Sequence, residues 1–143
     1  MNLSEMLDRS AEERPDHPAL VFEDRTITYL ELFRSVNKLS NALVKLGVQR
    51  GDRVVTLMGN RPELVTTYFA TIRIGAIVVT LNPLSTVYEL SHYFADCKPS
   101  VVVCKDDQMS KIESLREHAD YLRTTICTEE AEGAISLAQI QRD

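Results

Sequence analysis

Leu32, Val36, Leu39, Leu43 and Leu46 recur at alternating spacings of four and three residues, which is one face of a long amphipathic helix. Thr28-Tyr29-Leu30-Glu31 precedes it as a capping box. The threonine hydroxyl can accept from the amide three residues on, and the glutamate can reach back. Gly47 supplies the left-handed position that ends the helix. Upstream, Leu3, Met6, Leu7 and Ala11 share a face of a shorter helix stopped by Pro15 and Pro18. Between the two helices, Ala19 to Glu23 and Thr26 to Thr28 read as short strands joined through Asp24-Arg25 as a tight hairpin.

The pattern then changes period. Gly51-Asp52 turns the chain into Arg53 to Met58, rich in β-branched and long apolar residues. Pro62 suits the first turn of a helix whose buried stripe is read as Leu64, Val65, Tyr68, Phe69 and Ile72. Ala76 to Leu81 is nearly continuously apolar, the pattern of a parallel strand covered on both faces. Thr86-Val87-Tyr88-Glu89 is a second capping box, opening a helix with Leu90, Phe94 and Cys97 inward. Ser100 to Cys104 is another buried strand. Asp106 or Asp107 then caps a helix carrying Met109, Ile112, Leu115 and Ala119. Arg123 to Cys127 is a last strand, before a tail that is acidic at first and helical from Leu137.

After the hairpin, helices and strands alternate four times. Such alternation predicts an α/β protein: a three-layer α/β/α sandwich around a mainly parallel sheet, with the hairpin at the N-terminal side. Residues 1–143 are read as one α/β subdomain, and a chain this long buries roughly 70% of the surface it exposes when unfolded. The strand order is not legible from the sequence.

Composition narrows the function classes. The chain is 44% hydrophobic and 26% charged, a globular balance. A net charge of −5 without a dense Lys/Arg cluster argues against nucleic acid as a partner. The N-terminal segment alternates apolar and charged residues and lacks a signal-peptide core, and no apolar run approaches the length of a spanning helix. Cys97, Cys104 and Cys127 have no metal-ligand spacing and each ends an apolar segment. They read as buried, reduced thiols and point to a cytoplasmic setting.

Candidate chemistry is sparse. There is no dinucleotide fingerprint, no Gly-Lys-Ser/Thr loop and no nucleophile elbow. His17, His92 and His118 are scattered among exposed positions. Asp106-Asp107 and Glu129-Glu130 read as a helix start and a solvated loop, so no metal site assembles. Two polar segments should each follow a parallel strand, where α/β sheets bind ligands: Asn60-Arg61 and Asn82-Pro83. For Asn60 a helix cap is the expected role, for Asn82-Pro83 a turn, and for Arg61 and Arg73 surface charge near Glu63 and the helix end.

Four segments carry a resemblance. Ile27 to Leu32 (ITYLEL), Gly47 with Gly51-Asp52-Arg53-Val54, Asn60-Arg61-Pro62-Glu63, and Arg73 to Pro83 (RIGAIVVTLNP) follow one another in order. Together they resemble the N-terminal part of adenylate-forming (AMP-binding) acyl-CoA synthetases and ligases. Thr80 departs from the pattern, standing where many members carry proline. The resemblance implies an enzyme that joins a carboxylate to ATP, releases pyrophosphate, and passes the acyl group to coenzyme A, with Mg²⁺ assisting at the phosphates. The stretch from Asn82 to Val103 is most similar to fatty-acid and coumarate-type CoA ligases, and fatty acid is the expected substrate.

In that family the phosphate loop, the ribose-binding aspartate and the C-terminal lysine lie downstream. The resemblance therefore assigns no catalytic, cofactor-binding or metal residue to this chain. It implies scaffold that is inactive alone, cut before the phosphate loop, that binds none of ATP, Mg²⁺ or coenzyme A tightly. It also implies apolar faces free for self-association. The competing reading is a free-standing flavodoxin-like or receiver-like module. The residues after the strands supply no acidic cluster of the receiver kind.

Overall fold

The computed structural model describes residues 2–143. Helix α1 (Leu3–Glu13) leads into a hairpin of β1 (Pro18–Phe22) and β2 (Arg25–Thr28), followed by α2 (Tyr29–Lys45). Then come β3 (Arg53–Leu57), α3 (Pro62–Arg73), β4 (Ile77–Leu81), α4 (Val87–Cys97) and β5 (Val101–Cys104). A 3₁₀ turn (Asp106–Gln108), α5 (Met109–Arg116), β6 (Thr124–Cys127), β7 (Ile135–Ser136) and α6 (Leu137–Arg142) complete the chain.

The five strands after the hairpin form one parallel sheet in the order β4-β3-β5-β6-β7. Alternate residues of the central strands face opposite layers. Val54, Val101, Val103 and Ile126 meet Leu7, Val36, Leu39, Leu43 and Ala70 from α1, α2 and α3, with Leu137 of α6. Val55, Leu57, Val102 and Cys104 meet Leu90 and Phe94 of α4 and Ile112 and Leu115 of α5. The three layers expected from the alternation are present.

Several elements differ locally from the sequence reading, each for a physical reason. The inward face of α1 is Ser4, Leu7 and Ala11, while Leu3 and Met6 point outward, Met6 with 58% exposure. Asn2 caps this helix through the Ser4 amide at 3.0 Å, and Asp8 pairs with Arg73 of α3, which fixes the rotation of α1. The hairpin turns at Glu23-Asp24, one position earlier than expected, with Glu23 at φ 55°. At the start of α2 only half the box forms: Thr28 accepts from the Glu31 amide at 3.1 Å. Around Thr86 both halves form.

In α3 the fully buried residues are Pro62, Thr66, Thr67, Ala70 and Thr71, whereas the expected stripe of Leu64, Val65, Tyr68, Phe69 and Ile72 is half-buried. Each threonine hydroxyl donates to a carbonyl of its own helix: Thr66 to Pro62 (3.2 Å), Thr67 to Glu63 (2.8 Å) and Thr71 to Thr67 (2.7 Å). With the hydroxyl satisfied, a threonine buries its methyl like a small apolar residue.

Strand β4 is apolar but lies at an edge of the sheet, so it is not covered on both faces: Ile77 is 51% exposed and Thr80 is exposed. Asp106 and Asp107 form the 3₁₀ turn ahead of α5 and make no side-chain cap. Strand β7 was not foreseen. Two residues pairing Ile126 with Ile135 and Cys127 with Ser136 are too short to leave a periodic signal.

Candidate functional site

Strand β3 hands the chain to α3 on one face of the sheet, and its neighbour β4 hands it to α4 on the other. Diverging connections open a crevice at the carboxyl ends of adjacent parallel strands, where α/β proteins bind ligands. A cleft of 480 Å³ lies there, lined by Met58, Asn60, Leu64, Leu81, Asn82 and Leu84 among others. The fold thus brings together the two polar segments singled out in the sequence, which stand 22 residues apart along the chain (82 minus 60).

Their side chains play different parts. Asn82 holds its own turn: its Oδ1 accepts from the Leu84 amide at 2.9 Å, and its carbonyl accepts from the Ser85 amide at 3.0 Å. The turn expected for Asn82-Pro83 is present, and Lys111 of α5 clamps it by donating to the carbonyls of Pro83 (2.8 Å) and Ser85 (2.9 Å). Asn60 does not cap α3, contrary to expectation. The capping position falls to Arg61, which makes no side-chain cap bond. Pro62 at the first helical position has no amide to satisfy, which lessens the need for a cap. Asn60 is exposed at the cleft mouth.

Arg61 meets Glu63 at 2.8 Å, with Arg25 of the hairpin 3.7 Å from the same carboxylate. Arg73 is more than a surface charge. It pairs with Asp8 and lies over the Phe33 ring at 5.5 Å, joining α1, α2 and α3. Asn60 and Arg61 also border a second concavity of 310 Å³ against Leu20, Phe22 and Val65.

Beyond β5, Lys105 sits between Asp106 (3.3 Å) and Asp107 (3.9 Å). The Asp106 hydrogen bond and the two carboxylates raise the lysine's pKa, and the lysine in turn lowers that of Asp106. A cation already occupies the acidic turn. Among the described residues no three His, Cys, Asp or Glu side chains form a metal-binding group, so the residues present do not fit Mg²⁺. His17, His92 and His118 are all exposed, the first two against Tyr29 and Tyr88. The cleft walls carry amides, carbonyls, the Thr80 hydroxyl and apolar groups, and the lining holds no titratable side chain. Such a surface binds and shapes. Its lining offers no side chain of the ordinary general-base types.

The sequence matches the family described as AMP-binding enzyme over residues 7–141. The chain belongs to this family of AMP-binding enzymes. It is 35% identical over 104 residues to a long-chain-fatty-acid–CoA ligase of Bacillus subtilis, covering 73% of this chain and 19% of that one. It is 35% identical over 117 residues to an indoleacetate–CoA ligase of Aromatoleum aromaticum, covering 82% and 23%. The structure superposes on acetoacetyl-CoA synthetase from Streptomyces lividans with a TM-score of 0.93 and 28% identity, over 100% of this chain and 25% of that one.

The fold is therefore that of the N-terminal domain of adenylate-forming enzymes, and the resemblance read from the four sequence segments holds. The chain spans about a fifth of the length of the two ligases it matches in sequence. Those relatives carry three different acids in their names: a long-chain fatty acid, indoleacetate and acetoacetate. No helix among the described residues is long and apolar enough to cross a membrane.

Proposed function

We propose that this chain is the N-terminal subdomain of an AMP-forming acid–thiol ligase that activates a long-chain fatty acid with ATP and transfers the acyl group to coenzyme A. The observation that carries the reading is the family match over residues 7–141 on a sheet of the matching fold. Its contribution is scaffold: two packed layers of helices around five parallel strands, with a cleft free of titratable groups at their carboxyl ends. The adenylate chemistry, its Mg²⁺ and its phosphate donors belong to segments of the ligase outside residues 1–143. The setting is cytoplasmic, in keeping with three free thiols, two of them buried.

Acid-dependent exchange of labelled pyrophosphate into ATP tests this. It is run on the gene product carrying this chain and on the 143-residue chain alone, with long-chain, short-chain and aryl acids in parallel. The expected result is exchange with long-chain acids by the gene product and none by the chain alone. Preference for an aryl acid overturns the substrate, and exchange by the 143-residue chain overturns the scaffold role. The isolated chain is also expected to self-associate through apolar surface around Ile77, Leu84 (86% exposed) and Tyr88. A monomer at every concentration in sedimentation velocity contradicts that.

A further inference from the structure

Three sulfur-bearing residues stand at the carboxyl edge of the sheet, outside the cleft described above. Cys104 ends β5 and Cys127 ends β6, and the two are register partners in parallel strands. Partners in neighbouring strands face the same side, with backbones about 4.8 Å apart. On the other flank, the Cys104 thiol donates to the thioether of Met109, the first residue of α5, at 3.7 Å. Cys104 and Cys127 are fully buried, and Met109 is half-buried. None of the three belongs to the cleft.

We propose that Cys104, Cys127 and Met109 form a binding site for a soft monovalent cation, copper(I) or silver(I). Two thiols and a thioether are the ligand set that selects such ions over harder ones. Three sulfurs each about 2.3 Å from a shared ion in trigonal geometry lie about 4 Å apart, so the 3.7 Å Cys104–Met109 separation needs little rearrangement. Zinc is disfavoured by the same composition. It takes four ligands, usually with nitrogen, oxygen or further thiolate among them, and no three His, Cys, Asp or Glu side chains gather among the described residues.

On binding, each thiol releases its proton to solvent as its metal–sulfur bond forms, and the metal keeps its oxidation state. The ion would pin the first turn of α5 to the ends of β5 and β6. Of the three residues only Met109 keeps exposed surface, since the thiols themselves are covered. Sequence spacing hides it, because the pair arises from strand register and the third ligand is a methionine.

The test is anaerobic competition for copper(I) against a chromogenic chelator, using the 143-residue chain. The expected result is one equivalent withdrawn per chain with the far-ultraviolet circular dichroism unchanged and the thermal midpoint raised. Cys104→Ala and Cys127→Ala should abolish withdrawal, Met109→Leu should weaken it by about tenfold or more, and Cys97→Ser should leave it unchanged. Should the alanine variants fail to fold, Met109→Leu with X-ray absorption decides the matter, through loss of one of three sulfur scatterers. The proposal is overturned by no withdrawal of copper(I), by equal loss in Cys97→Ser, by an unchanged Met109→Leu, by unfolding on binding, or by zinc(II) binding as tightly.

Discussion

Arg53, the first residue of β3, donates its Nε hydrogen to the carbonyl of Cys97, the last residue of α4, across 2.6 Å. Its two other nitrogens reach the carbonyls of Lys98 (3.2 Å) and Gly51 (3.1 Å). A planar cation thus closes the carbonyl end of a helix, where the dipole is negative, and ties it to the start of a central strand. Arg53→Ala is expected to cost about 2 kcal/mol. Urea denaturation checks this: the midpoint should fall at constant slope. Arg53→Lys should recover only part of the loss, because a single ammonium cannot span the three carbonyls.

The box at α4 gives a second prediction. Thr86 Oγ1 accepts from the Glu89 amide at 3.1 Å while Glu89 Oε1 accepts from the Thr86 amide at 3.0 Å. Thr86→Ala should cost about 1 kcal/mol, more than Thr28→Ala, because the Thr86 hydroxyl also donates to Glu89 Oε1 at 3.0 Å whereas Thr28 makes the amide bond alone. Bonding to the Thr86 amide, and then to its hydroxyl, holds the Glu89 carboxyl below its ordinary value of 4.5. A lowered folded pKa contributes stability above the unfolded value, and that contribution is lost as pH falls through the folded one. Thermal midpoints of the parent chain should therefore drop more steeply below pH 4.5 than those of Glu89→Gln.

Alkali should act through Cys104. Burial, followed by the neighbouring Cys127 thiol, pushes its pKa from 9.0 up to about 12. A raised folded pKa means that the folded state keeps a proton the unfolded chain releases, so the contribution holds below pH 9 and is lost as pH rises to about 12. Stability measured from pH 8 upward should decline with a component that Cys104→Ala lacks.

The threonine face of α3 makes a further prediction against the core. Phe94 is among the largest fully buried side chains, and Phe94→Ala should cost about 3–5 kcal/mol. Thr67 is equally buried, yet its hydroxyl partner, the Glu63 carbonyl, is itself part of a helix. Thr67→Val removes that hydroxyl without stranding a donor and should stay within about 1 kcal/mol of the parent. Chemical denaturation of both variants compares them directly.

Much of the fold was legible because its signals are local. The spacing from Leu32 to Leu43, Gly47 at φ 90° and Pro62 at the first turn of α3 each act within a few residues. The alternation of elements carried the three layers. What stayed hidden depends on distant partners. The outward turn of Met6 depends on Asp8 meeting Arg73, 65 residues away. The place of β4 at the edge, and with it the exposure of Ile77, follows from a strand order no single segment encodes. The site was legible in part: position after a strand marked Asn60 and Asn82, but their convergence on one cleft required the β3–β4 pairing. Asn60 has no capping role because Pro62 leads the helix, and a proline-led start looks, in sequence, like one awaiting a cap.

The edge position of β4 also governs how the chain must be handled. Ile77-Val78-Val79-Thr80-Leu81 holds no charge and no proline, the two devices that usually keep a free strand from recruiting another. Its open row of amides and carbonyls is a template on which one more strand of any origin completes a ladder. Binding and stability readings taken on this chain will therefore carry a dependence on its own concentration, and a dilution series belongs beside each of them.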